Sequence, residues 1–255
     1  MDTIEPRKQG LQLGVDIGQQ HDPTAVVVAE RQLRDYHWPD PDRRHPDDRV
    51  VGGDIHYVIR YIKRMPLKTP YPAVADRLAE IYFQLTPAEM PQTVEDRIME
   101  RSGQTYHRSP PWHDASIRDV LVDGTGVGRP VIDLIRDKGV ECTAVYFTGG
   151  DKATAAWREL RLAKVLMVSR LQVLLQQRFI HLPPDDEEAQ EAAKELLNFE
   201  IKVTDSANLQ MGAFKVGTHD DLVTALGLAC WEDASRNGEF WIGSAPDALN
   251  DYFLG

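Results

Sequence analysis

Two cysteines are all that the 255 residues contain, and both, Cys142 and Cys230, lie inside apolar runs. A disulfide-stapled scaffold is excluded and no zinc-ligand spacing is present, so the pair reads as free core thiols in a reducing compartment. A basic excess is also missing: 29 Lys and Arg stand against 40 Asp and Glu, a formal net charge of -11. That balance argues against a general charge-driven nucleic-acid binder, whose affinity rests on Lys and Arg neutralising phosphates. It leaves room for a metal-dependent enzyme, whose gathered carboxylates are partly cancelled by cations. Long apolar runs are absent too, since the longest, "LAKVLMVSRLQVLL" from Leu162, is interrupted by Lys164 and Arg170. The opening "MDTIEPRKQG" has no apolar signal core. These absences predict a soluble, cytoplasmic protein with no membrane partner. There is no internal repeat and no low-complexity tract. The remainder, 42% hydrophobic and 27% charged, is an ordinary globular composition.

The pattern along the chain predicts an α/β domain. "LQLGVDIGQ" and "TAVVVAER" read as two strands joined by a tight turn, and "IHYVIRYIKRM" as a third antiparallel strand. Between the second and third, "DYHWPDPDRRHPDDR" reads as a polar, proline-rich loop within an insertion over about residues 32–53. A helix follows in "PAVADRLAEIYFQL". Residues 86–116 carry little periodicity and read as an irregular insertion; Trp112 and His113 within it are of a type that stacks on bases. "RDVLVDGTGVGRPVIDLIRDKG" gives a buried strand ending at Asp123, a glycine turn and a helix, and "ECTAVYFTG" another strand, together a parallel βαβ unit. "TAAWRELRLAKVLMVSRLQVLLQQ" and "PPDDEEAQEAAKELLNF" read as helices, the second with acids at its N-terminus. "EIKVT" and "LQMGAFKV" read as a hairpin, and a last helix begins at "HDD".

Three acidic positions share a placement. Asp16 ends the first strand, Asp123 ends the fourth, and Asp220 and Asp221 open the last helix. Strand ends in an open α/β sheet are where ligands bind. Carboxylates brought together there repel unless protonated or neutralised by a cation, and hard oxygen donors suit Mg²⁺ or Mn²⁺. By helical spacing Asp221 projects nearer than Asp220 to the stripe of Leu222, Leu226 and Ala229, which favours Asp221 for the site; Asp220 reads as an N-cap or as a contact through water. "GTGVG", Gly124 to Gly128, lacks the last glycine of a dinucleotide motif, because Arg129 stands in its place. It reads as a tight turn whose following helix faces a phosphate.

Taken in order, "GVDIGQQHDPTAVVVAE", "VLVDGTGVGRPVIDLI", "LQVLLQQRFIHLP", "AAKELLNFEIKVT" and "THDDLVTALGLACW" resemble the nuclease domain of the phage terminase large subunit, from about residue 11 to 234. The resemblance implies a ribonuclease H-like mixed sheet, three antiparallel strands followed by parallel strands, flanked by helices. It implies one such domain over residues 1–255, and a metal-dependent endodeoxyribonuclease that cuts concatemeric viral DNA during genome packaging. Asp16, Asp123 and Asp221 are then the catalytic metal ligands for two Mg²⁺ or Mn²⁺ ions, with Asp220 beside them and Asp22 as an accessory acid. Thr125, Lys164, Arg161 and His219 are the candidate DNA contacts. The implied partners are double-stranded DNA, a packaging ATPase, a small terminase subunit and the portal, in the host cytoplasm.

The sequence departs from the full-length family in having no G-x-x-x-x-G-K-[ST] phosphate loop, so ATP hydrolysis is not expected of it. Three other readings share some of these features. A Holliday-junction resolvase has the same fold. An actin-like ATPase or sugar kinase has a first phosphate loop resembling "GVDIGQQHDPTAV" but needs a second. A non-catalytic docking module of a packaging complex fits the acidic surface and long loops, but gives the acids no purpose. For the basic residues Arg158, Arg161, Lys164 and Arg170 the plain reading is a solvated helix face, and the sharper one a track for the DNA backbone.

Overall fold

Alternation in the first strand sets the layers. The computed structural model describes residues 7–18, 22–39, 49–85, 117–198, 200–203, 209–212 and 220–232. In β1 (Arg7–Asp16) the apolar Leu11, Leu13 and Val15 face one side. With a side-chain period of two, Gln12, Gly14 and Asp16 face the other. β2 (Ala25–Pro39) and β3 (Arg49–Arg64) continue antiparallel. Next come α1 (Tyr71–Leu85), β4 (Ile117–Asp123), α2 (Arg129–Asp137) and β5 (Thr143–Thr148). The strands β6 (Ala153–Ala156) and β7 (Glu159–Ala163) lead into α3 (Lys164–Gln176), and β8 (Ile180–His181) into α4 (Glu187–Asn198). The hairpin β9 (Glu200–Val203) and β10 (Leu209–Gly212) forms a small sheet of its own, and α5 (Asp221–Ala229) follows.

The main sheet runs β6-β7-β5-β4-β1-β2-β3-β8. Strands β1, β4, β5 and β7 are parallel, and β1 to β3 form an antiparallel meander. On one face α1 and α2 place Val74, Leu78, Ile81, Val131, Ile132 and Ile135 on the Leu13 and Val15 side. On the other, α3, α4 and α5 bring Leu171, Leu174, Ala192, Leu222 and Leu226 onto Val27, Ala29 and Ile59. Asp186 starts α4 as a side-chain cap, its Oδ1 accepting from the amides of Glu188 (2.9 Å) and Ala189 (3.2 Å).

Every residue of α5 is buried, so this helix has no solvent face and needs an apolar sequence all round, which "LVTALGLA" supplies. Its close approach to β1 depends on Gly14. A Cβ there would lie 2.0 Å from the carbonyl oxygen of Ala225 and 2.3 Å from the amide nitrogen of Ala229. Gly14→Ala is therefore expected to lower stability by about 2–3 kcal/mol, since backbone atoms cannot turn away as a flexible side chain can. A thermal melt of the variant checks this, and an unchanged melting temperature would show that α5 is free to shift.

Two stretches differ from their sequence reading. Residues 35–39 and 49 are not loop, and 32–34 and 50–53 are not irregular. They are paired strand, with Asp35 opposite Gly53 and Trp38 opposite Val50. Tyr36, His37 and Trp38 are strand formers that the neighbouring prolines and aspartates obscure. Residues 154–163 are not helix but the β6–β7 hairpin, turned at Trp157 and Arg158, where Arg158 has φ 57°. Within β7, Leu160 and Leu162 are buried and Arg161 is exposed, the period of a strand. Residues 86–116, with Trp112 and His113, lie outside the described residues.

Candidate metal and active site

Asp16 and Asp123 are direct register partners at the carboxyl ends of the parallel strands β1 and β4. Parity puts them on one face. Val120 and Val122 join the α1/α2 side of the core, whereas Leu121 packs with Leu228 on the α5 side, and Asp123 shares the parity of Leu121. Asp16 shares the parity of Gly14, over which α5 lies. Both carboxylates therefore stand at the sheet rim beside the start of α5, where Asp220 occupies the N-cap position. The Asp220 Oδ2 atom receives Lys164 Nζ at 3.2 Å, Lys164 being the first residue of α3.

The electrostatics describe one coupled cluster. Asp16 is held well above the ordinary carboxylate range, first by burial, then by the negative charge of Asp123 and, more weakly, of Asp220 and Asp221, with Lys164 opposing. Asp123 is raised as well, first by burial. Thr125, whose amide donates to Asp123 Oδ1 at 2.8 Å, and Lys164 pull it back, and Asp220 adds to the rise. Partly buried like charges that raise one another are what a divalent cation would relieve. All the donors are hard oxygens, which fits Mg²⁺ or Mn²⁺. As placed, no three His, Cys, Asp or Glu side chains among the described residues enclose a single point. The cation the cluster already contains is the Lys164 ammonium.

Asp221 has a partner that the sequence did not announce. It is 3% exposed, and its carboxylate is committed to Arg64 at the end of β3, with Nε at 2.7 Å and Nη2 at 3.4 Å. Arg64 also pairs with Glu195 and with Glu188. The apolar stripe beside Asp221 leads into the interior of α5's packing, where its carboxylate meets the Arg64 guanidinium, and its charge still reaches Asp16. Asp220, one residue earlier, is the acid turned towards Lys164. Glu195 is pushed up to about 8, by burial and then by Asp221, while its Oε2 accepts from the amides of Leu222 (3.1 Å) and Val223 (3.3 Å). It thus caps α5 from α4. Sequence reading missed Arg64 and Glu195. The one available sign was the adjacency of two acids at a buried helix start, which requires separate partners.

The remaining candidates separate. Asp22 is exposed in the turn between β1 and β2, at the same end of the sheet. Thr125 orients Asp123, and its Oγ1 accepts from the Phe147 amide at 2.8 Å, tying the turn after β4 to β5. Arg161 projects from the face opposite Leu160 and Leu162, away from the acids. Arg158 and Arg161 belong to the hairpin rather than to a helix, and Arg170 is held by Tyr57 and Glu232. His219 lies outside the described residues.

A β3-β2-β1-β4-β5 order, antiparallel through β1 and parallel beyond it, with an acid at the ends of β1 and β4, decides the architecture. The fold is ribonuclease H-like. No family model and no curated protein sequence matches the chain. Among solved structures, the large terminase nuclease from thermophilic phage G20c is similar at TM-score 0.49 and 19% identity, over 86% of this chain and 80% of that one. The bacteriophage SPP1 large terminase nuclease domain with bound Mn is similar at TM-score 0.42 and 11% identity, over 89% and 86%. The human cytomegalovirus terminase nuclease domain, Mn soaked, is similar at 0.45 and 11%, over 87% and 81%. Among the described residues of this ribonuclease H-like chain, no helix is long and apolar enough to cross a membrane.

Proposed function

We propose that this chain is a divalent-metal-dependent DNA endonuclease of the terminase large-subunit type, cutting concatemeric DNA during packaging. The observation that carries the reading is the register pairing of Asp16 with Asp123 at one sheet rim, with Asp220 joined to both through charge and through Lys164. In this proposal Asp16, Asp123 and Asp220 hold two Mg²⁺ or Mn²⁺ ions, and Asp22 stands as an accessory acid. When bound, such ions lower the pKa of the attacking water and neutralise the charge that develops at phosphorus. The chain's own residues perform the placement. β1 and β4 fix two carboxylates side by side, Thr125 aims the Asp123 carboxylate, and the Arg64–Glu195 anchor fixes the start of α5 and so the position of Asp220. Asp221 serves that anchor. Lys164 supplies positive charge at the same rim. On this reading the described residues form one nuclease domain, which works with an ATP-driven motor, a small subunit and a portal.

The test is cutting of supercoiled plasmid in Mn²⁺ or Mg²⁺, expected to stop when EDTA is added. Asp220→Asn is expected to reduce cutting by about 100-fold, whereas Asp221→Asn, assayed well below its melting temperature, is expected to keep it within about tenfold. Equal cutting by wild type and Asp220→Asn would remove Asp220 from the site. Undiminished cutting in EDTA would end the metal-dependent reading.

A further inference from the structure

Lys164 is placed against local preference. It is the first residue of α3, at the positive end of the helix dipole, where a cation is unfavourable. That helix has no acid in its first turn and no side-chain cap on Ala163 before it. The compensating charge comes from elsewhere in the sequence, the Asp220 carboxylate 3.2 Å away at the start of α5. Phe147 lies beneath the ammonium, its ring centre 5.7 Å from Nζ. The side chain is only about a quarter exposed, at 26%, so water screens it incompletely. A cation in this position acts on all three site acids, because its charge also offsets the rises at Asp16 and Asp123.

On the metal-site reading above, we propose that Lys164 is the internal counter-ion of the acid cluster and competes with the incoming divalent cation for Asp220. Three ionised carboxylates accompanied by one ammonium attract a divalent ion less strongly than three alone. The first ion to reach Asp220 must also break a formed ion pair. Lys164 therefore sets the metal affinity of the DNA-free protein and keeps the cluster tolerable while no ion is bound.

The experiment is a Mn²⁺ titration of the whole chain without DNA, read by calorimetry. Lys164→Met is expected to bind Mn²⁺ at least about tenfold more tightly than wild type, from the loss of one positive charge within a few ångströms of the ion. Lys164→Arg, which keeps the charge, is expected to stay within about twofold. Unchanged or weaker binding by Lys164→Met overturns the proposal even if the nuclease reading stands. The paired control is Asp16→Asn with Asp123→Asn, expected to abolish binding in both the wild-type and Lys164→Met backgrounds. If that double variant still binds Mn²⁺ as wild type does, the ion is not at these acids, and the metal-site reading fails together with the role given to Lys164.

Discussion

Asp16→Asn is expected to cost DNA cutting on the order of 10³-fold, and at the same time to make the metal-free protein more stable at pH 8. The second half follows from the sign of the shift. Asp16 is raised in the folded state by burial and by its acidic neighbours, above an unfolded value of about 3.9. The folded protein therefore holds its proton more tightly than the unfolded chain. The stability this confers is complete below about pH 4 and is lost as pH rises through the folded value. As pH rises above about 4, wild type increasingly bears the cost of a buried carboxyl that resists ionisation beside its acidic neighbours. Asparagine keeps the shape and removes the charge. The variant should melt at a higher temperature than wild type at pH 8, and the difference should shrink towards pH 4. On the proposed metal-site reading Mn²⁺ supplies countercharge, so it should raise the wild-type melting temperature through preferential binding to the folded state and leave Asp16→Asn almost unmoved. An equal Mn²⁺ shift in the two proteins would show that Asp16 does not face the ion.

The second large effect concerns Arg64→Ala. Its removal leaves Asp221, 3% exposed, beside Glu195 with no guanidinium between them. Removing one partner of a buried pair costs about 3–5 kcal/mol, because the remaining charge stays desolvated. At about 2–4 °C per kcal/mol for a chain of this size, the melting temperature should fall by roughly 10 °C. Adding Asp221→Asn should recover part of the loss, since the stranded charge is then gone, and the double-mutant cycle measures the coupling. A fall equivalent to less than about 1 kcal/mol would place the pair among exposed ion pairs of little consequence. Because Glu195 and Arg64 hold the first turn of α5, the single variant should also weaken Mn²⁺ binding at Asp220.

Much of this was legible in the chain itself, and the exceptions have physical causes. The β-branched runs and the glycine turn after Asp123 give the meander and the βαβ unit, because alternation and turn chemistry are local properties. That Asp16 and Asp123 are register partners rests on β4 lying beside β1, a pairing across more than a hundred residues that no local pattern states; the ordered motifs supplied it. The spacing argument that favours Asp221 over Asp220 leaves Arg64 and Glu195 unseen for a related reason. Helical spacing says which side of α5 a residue occupies but not what awaits it there, and Arg64 arrives from β3 and Glu195 from α4. The β6–β7 hairpin was hidden by good helix formers, Leu160, Leu162 and Ala163, where tertiary pairing outweighs weak propensity. Arg158 adopts φ 57°, a conformation the sequence gives no reason to expect of arginine.

Three helices begin at the rim that carries the acids: α2 after β4, α3 after β7 and α5 at Asp220. Each directs the positive end of its dipole towards that rim, although in α5 the amides of Leu222 and Val223 already donate to Glu195. In a chain whose formal charge is -11, these helix dipoles offset part of the negative charge that Asp16, Asp123 and Asp220 gather at the rim. The main chain thus shares with the Lys164 ammonium the task of making the crowded acids tolerable, and that share is one no side-chain substitution at the rim removes.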